Sequence, residues 1–106
     1  MSSTPNNADG PRMLAEVVMY RTPFCPYCMR AEALLRRKGV HVREVDVSND
    51  PGKRRWLVDA TRQRTVPQIF INGVSVGGFD EIASLDRRGV LDQLLAEGPP
   101  GAVSTP

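Results

Sequence analysis

Apolar residues fall along this chain in two rhythms, short unbroken runs and stretches at helical spacing, and their alternation predicts a succession of strands and helices. Glu16-Val17-Val18-Met19-Tyr20 is a run of the length expected for a strand buried on both faces. From Pro26 to Lys38, Met29, Ala31, Leu34 and Leu35 recur at roughly helical spacing while Arg30, Arg36, Arg37 and Lys38 stay wet, and Gly39 supplies a stop. Val40, Val42 and Val45 among charged residues suggest a second strand ending near Asp46. Ser48-Asn49-Asp50-Pro51 then offers the capping and first-turn chemistry of another helix, expected to end near Gln63. Pro67 to Ile71 and Val74 to Gly77 flank Asn72-Gly73, a strong signal for a tight antiparallel hairpin because both turn positions need positive φ. Asp80 to Arg88 and Val90 to Glu97, stopped by Gly89 and Gly98, read as two short helices.

The resulting order is β-α-β-α-β-β-α-α. A strand, helix, strand unit followed by a hairpin and helices predicts an α/β domain with a four-stranded mixed sheet flanked by helices, its first two strands parallel through a right-handed crossover. That is a thioredoxin-like layout. Residues 1–14 mix Ser, Thr, Asn, Pro and Gly without apolar periodicity and are expected to form a disordered N-terminal arm. The stretch 98–106 reads as a disordered C-terminal tail, which leaves one domain over 15–97.

Charge and composition narrow the chemistry. Fourteen Lys plus Arg against twelve Asp plus Glu leave +2, too slight to imply nucleic acid or an anionic membrane as partner. No apolar run approaches the roughly 20 residues of a membrane span, and the polar start lacks the apolar segment of a signal peptide, so a soluble, cytoplasmic monomer is expected. The only two cysteines, Cys25 and Cys28, sit three positions apart, which argues against a disulfide scaffold. With His41 they make three candidate metal ligands where a closed structural site usually needs four, so no metal is expected. His41 itself is assigned no role.

A C-x-x-C pair beside a βαβ pattern is a thioredoxin-like redox signature. If Cys25 caps the first helix and Pro26 opens it, where a missing N–H costs nothing, Cys28 falls at the third helical position and its backbone N–H reaches the Cys25 sulfur. A helix N-terminus carries roughly half a positive charge and favours a thiolate there, so Cys25 is the expected nucleophile, with Arg21 and Arg30 adding to the field. Cys28, shielded within the first turn, acts second by attacking a mixed disulfide. Two inert thiols, or half of an intersubunit metal site, are the weaker alternatives.

Cys25-Pro26-Tyr27-Cys28, Thr65-Val66-Pro67 and Gly77-Gly78-Phe79-Asp80 resemble, in order and spacing, the three glutathione-site motifs of dithiol glutaredoxins. The resemblance covers about Glu16 to Glu97, and the stretches from Val66 to Asn72 and Ser84-Leu85-Asp86 look especially like the small bacterial type. It implies a cis Pro67, with the Val66 backbone pairing the cysteinyl unit of glutathione in the manner of an added strand. It implies that backbone N–H groups around Gly78 and Phe79 hold the γ-glutamyl carboxylate and that Asp80 holds the ammonium. Thr65 belongs to the same binding segment, and Tyr27 flanks the sulfur and shapes access to it. The family commonly has a lysine for the glycyl carboxylate three residues before the nucleophile. This chain has Thr22 there, so Arg21, one position earlier, and Arg54, which matches another family position, are the candidates. Trp56 is expected to pack rather than bind.

The activity so implied is glutathione-dependent reduction of protein–glutathione mixed disulfides by Cys25 alone, and of protein disulfides by Cys25 with Cys28. Glutathione is the co-substrate, glutathionylated or disulfide-bonded proteins are the partners, and glutathione reductase acts indirectly. One alternative is a carrier of a 2Fe–2S cluster held by Cys25 of two subunits and two glutathiones, against which Pro26 and the bulky Tyr27 weigh by leaving less room. The other is a thioredoxin-like disulfide reductase recycled by a flavoprotein. Phe24 stands where thioredoxins usually carry tryptophan, and Pro26-Tyr27 where they carry Gly-Pro, which favours glutathione coupling.

Overall fold

A computed structural model describes residues 13–99. The expected arm and tail lie mostly outside those residues. The first described residue, Met13, packs against the core.

Strands β1 (Val17–Arg21), β2 (Val42–Asp46), β3 (Gln68–Ile71) and β4 (Val74–Gly77) form one sheet in the order β2-β1-β3-β4. β1 and β2 are parallel, while β3 runs antiparallel to both β1 and β4. Helices α1 (Pro26–Arg37), α2 (Pro51–Thr61), α3 (Phe79–Arg87) and α4 (Val90–Ala96) complete the expected element order. Among the described residues no helix is long and apolar enough to cross a membrane.

Strand alternation decides which face each helix covers. Val17 and Met19 of β1 and Ile69 and Ile71 of β3 point to one face, where they close a core with Ala31, Leu34 and Leu35 of α1, Ile82 of α3 and Leu91 and Leu95 of α4. Each of these buried side chains larger than alanine stabilises the fold by roughly 1.5–3 kcal/mol. The opposite face presents Tyr20 and Phe70, and α2 covers it through Trp56, whose ring lies 5.5 Å from Tyr20 and 5.9 Å from Phe70. Trp56 is thus the packing residue expected.

The local signals act as the sequence implies. Asp50 caps α2 by accepting from the Lys53 N–H at 2.9 Å, with Pro51 in the first turn. The β3–β4 turn places Asn72 at φ 53° and Gly73 at φ 82°. Several boundaries shift by one or two residues. β1 starts one residue later than expected, and α2 stops at Thr61 because Arg62 adopts the left-handed conformation, φ 62°, that ends a helix.

Candidate active site

The two cysteines lie where β1 feeds α1. Cys25 is the N-cap, with extended backbone at φ −108° and ψ 109°, Pro26 opens the helix, and the Cys25 Sγ accepts the Cys28 N–H at 3.2 Å. That bond meets one of the amide donors a helix start leaves without an intrahelical partner. The chain reaches Cys25 through Phe24, which holds a positive φ of 58° and is 97% exposed. A bulky residue in that region is uncommon and strained. Both thiols are free; Cys25 is partly exposed, and Cys28 is fully buried. Burial pushes the Cys28 thiol up to about 12, with its hydrogen bond to Cys25 adding to the effect. Cys28 therefore stays protonated at neutral pH.

Across from Cys25 lies the segment before β3. The Val66–Pro67 bond is cis, as the resemblance implied, and the Val66 carbonyl oxygen lies 3.9 Å from the Cys25 Sγ. A groove of about 430 Å³ runs along this segment, within the size range of small-ligand pockets. Tyr27, Thr65, Val66 and Pro67 line one stretch of it, and Gly78, Phe79 and Asp80 another. Tyr27 stacks on Phe79 with ring centroids 6.3 Å apart and planes at 21°, and the Arg30 guanidinium sits 5.5 Å above the Tyr27 ring. This stack makes an aromatic wall beside the sulfur.

The β4–α3 junction needs its glycines. Gly77 takes φ 100°, and a Cβ there would lie 2.6 Å from the Glu81 Cγ; a Cβ on Gly78 would lie 3.0 Å from the Pro67 carbonyl oxygen. The expected bare N–H groups are only partly bare. Glu81, three residues after the N-cap, accepts the Gly78 N–H at 2.8 Å, so that donor is already engaged. The N–H groups of Phe79 and Asp80, in the first turn of α3, have no intrahelical acceptor.

Arg21 corrects an expectation. It shares a strand face with Met19, so its guanidinium turns toward α1 and away from the groove. There it meets Glu44 of β2 at 2.6 Å and Glu32 of α1 at 3.0 Å, and Arg36 bonds the same two carboxylates at 2.9 Å each. The Arg36 hydrogen bond leads in holding the Glu32 carboxyl below its ordinary range. Arg21 is thus bound to carboxylates within the fold and lines none of the groove. Arg54 is placed differently. It lines a small cleft with Arg64, Thr65 and Val66, and that cleft adjoins the main groove at Gln63, Thr65 and Val66.

Glu81, Arg64 and Gln68 are among the residues at the site that were missed in the sequence. Glu81 carried a signal, the spacing of a cap partner three residues into a helix. Arg64 carried only its position beside Thr65. Gln68 carried none, because a glutamine in an apolar strand announces neither its burial nor its partners.

One sulfur is partly exposed beside Val66 in the groove wall and its partner is fully buried, an asymmetry that places the site in the class of thioredoxin-fold proteins that exchange disulfides through a dithiol. Comparison with known proteins sharpens this. The family model described as Glutaredoxin matches residues 17–76. Glutaredoxin 3 of Escherichia coli K12 is 44% identical over 82 residues, covering 77% of this chain and 99% of that protein. A glutaredoxin of Pseudomonas aeruginosa is 46% identical over 80 residues, 76% of this chain and 95% of that one. The solution structure of Brucella melitensis glutaredoxin superposes with a TM-score of 0.72 at 45% identity, covering 82% and 95% of the two chains. The buckwheat glutaredoxin–glutathione complex superposes at 0.71 with 30% identity, covering 76% of each. The chain belongs to the glutaredoxin family, with its thioredoxin-like fold. Its general activity is that of a glutathione-dependent thiol oxidoreductase.

Proposed function

We propose that this protein reduces protein–glutathione mixed disulfides through Cys25 alone and protein disulfides through Cys25 with Cys28. One observation carries the proposal: the partly exposed Cys25 sulfur accepts the Cys28 N–H at 3.2 Å at the start of α1 and lies 3.9 Å from the Val66 carbonyl in the wall of the groove. The tripeptide lies along Val66, whose backbone pairs its cysteinyl unit. Its γ-glutamyl carboxylate meets the Phe79 and Asp80 N–H groups, and its ammonium meets the Asp80 carboxylate. Arg54 takes the glycyl carboxylate at the far end. Thr65 and Pro67 hold the shape of the segment between.

In the first step the Cys25 thiolate attacks the glutathionyl sulfur, the substrate disulfide breaks, and the departing protein thiolate takes a proton from solvent. A glutathione thiolate then attacks the Cys25–glutathione disulfide, releasing Cys25 as thiolate and forming glutathione disulfide. Each mixed disulfide consumes one free glutathione, the other half of the glutathione disulfide comes from the substrate, and glutathione reductase reduces that disulfide to two glutathiones.

With a protein disulfide, Cys25 forms the mixed disulfide and Cys28 resolves it, closing a Cys25–Cys28 disulfide that glutathione reopens. The raised Cys28 pKa fits this order. Its Cys25 hydrogen-bond and charge contributions vanish once that sulfur is in a disulfide, so Cys28 becomes easier to ionise when it is needed. The proposed setting is a monomer in the cytoplasm, where glutathione is kept reduced. No metal enters any step.

The test is steady-state reduction of a small glutathione mixed disulfide, coupled to glutathione reductase. Cys28→Ser is expected to retain turnover and Cys25→Ser to abolish it; the reverse pattern would overturn the assignment.

A further inference from the structure

Gln68 is the one buried polar side chain among the described residues, only 2% exposed at the start of β3. It sits opposite Tyr20 across the sheet and also forms part of the wall of the groove. Its Nε2 donates to the Thr65 carbonyl at 2.9 Å, while its Oε1 is buried without a hydrogen-bond partner. Turning the amide over would set its oxygen against the Thr65 carbonyl oxygen, so the Thr65 bond fixes the orientation and leaves the acceptor orphaned. A buried acceptor with no donor costs stability, and an apolar side chain of the same length would fill this place in the sheet without that cost. A glutamine here is therefore a local conflict of the kind found where function overrides folding.

We propose that Gln68 is a positioning residue: its amide nitrogen holds the Thr65–Val66 backbone in register for the substrate, and its free carbonyl oxygen receives a donor when the groove fills. The donor is an N–H of the bound tripeptide, which meets this oxygen as the Gln68 side chain adjusts to the filled groove, since the oxygen is closed to solvent in the empty one. This rests on the glutathione assignment above and deepens it. The side chain does not touch the sulfurs, so it acts on how substrate is held and hardly on the exchange itself.

Two measurements test it. Gln68→Met keeps the length and removes both polar atoms. It is expected to raise KM for a glutathione mixed disulfide by roughly five- to tenfold, the worth of one buried hydrogen bond, with a much smaller change in kcat and a melting temperature equal to or above that of the unaltered protein. An unchanged KM, or a melting temperature and kcat that fall together, overturns the proposal. On the unaltered protein, titration with S-methylglutathione, which cannot exchange, should move the Gln68 side-chain amide resonances saturably and in step with the Val66 N–H. Movement of Val66 without Gln68 sinks this proposal alone. Movement of neither, together with no turnover, sinks the glutathione assignment beneath it.

Discussion

At Cys28 opposing influences meet: burial and the adjacent Cys25 sulfur hold the proton on, while the Thr22 backbone and Arg21 pull it off, and burial wins. The folded protein keeps this proton to about pH 12, whereas an unfolded chain releases it near 9.0. Between those values the unfolded state binds fewer protons, so stability present below the lower one is lost as pH rises through the window. Urea unfolding of the reduced protein from neutral to about pH 10.5 is expected to show this decline, and Cys28→Ser to flatten it. The asymmetry of the pair was legible in the sequence because cap position, proline and spacing are local properties. Phe24 was not: nothing in its side chain announces a positive φ, which the approach to the cap imposes.

Among elements, the Arg21, Glu32, Arg36 and Glu44 cluster ties β1, α1 and β2 together at the end of the sheet nearest the cysteines. Arg21 is the most buried of the four, with a side chain only 16% exposed. Replacing it with methionine leaves two carboxylates facing each other with only Arg36 between. Arg21→Met is expected to cost about 2 kcal/mol in unfolding free energy, between the values of exposed and buried pairs. It should leave KM for the glutathione substrate within about twofold, since its charge is spent inside the fold. A large KM increase at unchanged stability would return Arg21 to the groove. The elements themselves were readable because periodicity, Gly39, the Asp50-Pro51 cap and Asn72-Gly73 each act over a few residues. Strand alternation already set Arg21 beside Met19, but the convergence of Glu32 and Glu44 on it depends on how α1 and β2 pack, which no local pattern records.

The whole molecule assembles its site from three separated segments. The sheet order β2-β1-β3-β4 puts β1 next to β3, so the loop carrying Cys25 faces the residues before β3, and β4 delivers Gly77 and Gly78 alongside them. Gly77 and Gly78 are needed there for room, since any Cβ would collide with Glu81 or crowd the Pro67 carbonyl. Composition and periodicity predicted the layers but could not join Cys25, Val66 and Asp80; only the spacing of three motifs, read as a family resemblance, did so. The cis Val66–Pro67 bond and Arg54 became visible by the same route. Gln68 emerged only once the strands were packed, whereas Glu81 carried a local signal in its cap spacing. The central claim is that Cys25 is the sulfur that meets glutathione. Mass spectrometry of Cys28→Ser after exposure to glutathione disulfide tests it most directly. One glutathionyl group on the Cys25 peptide, removed by excess reduced glutathione, is the expected result; a protein that stays unmodified while its Cys25 thiol remains free would contradict it.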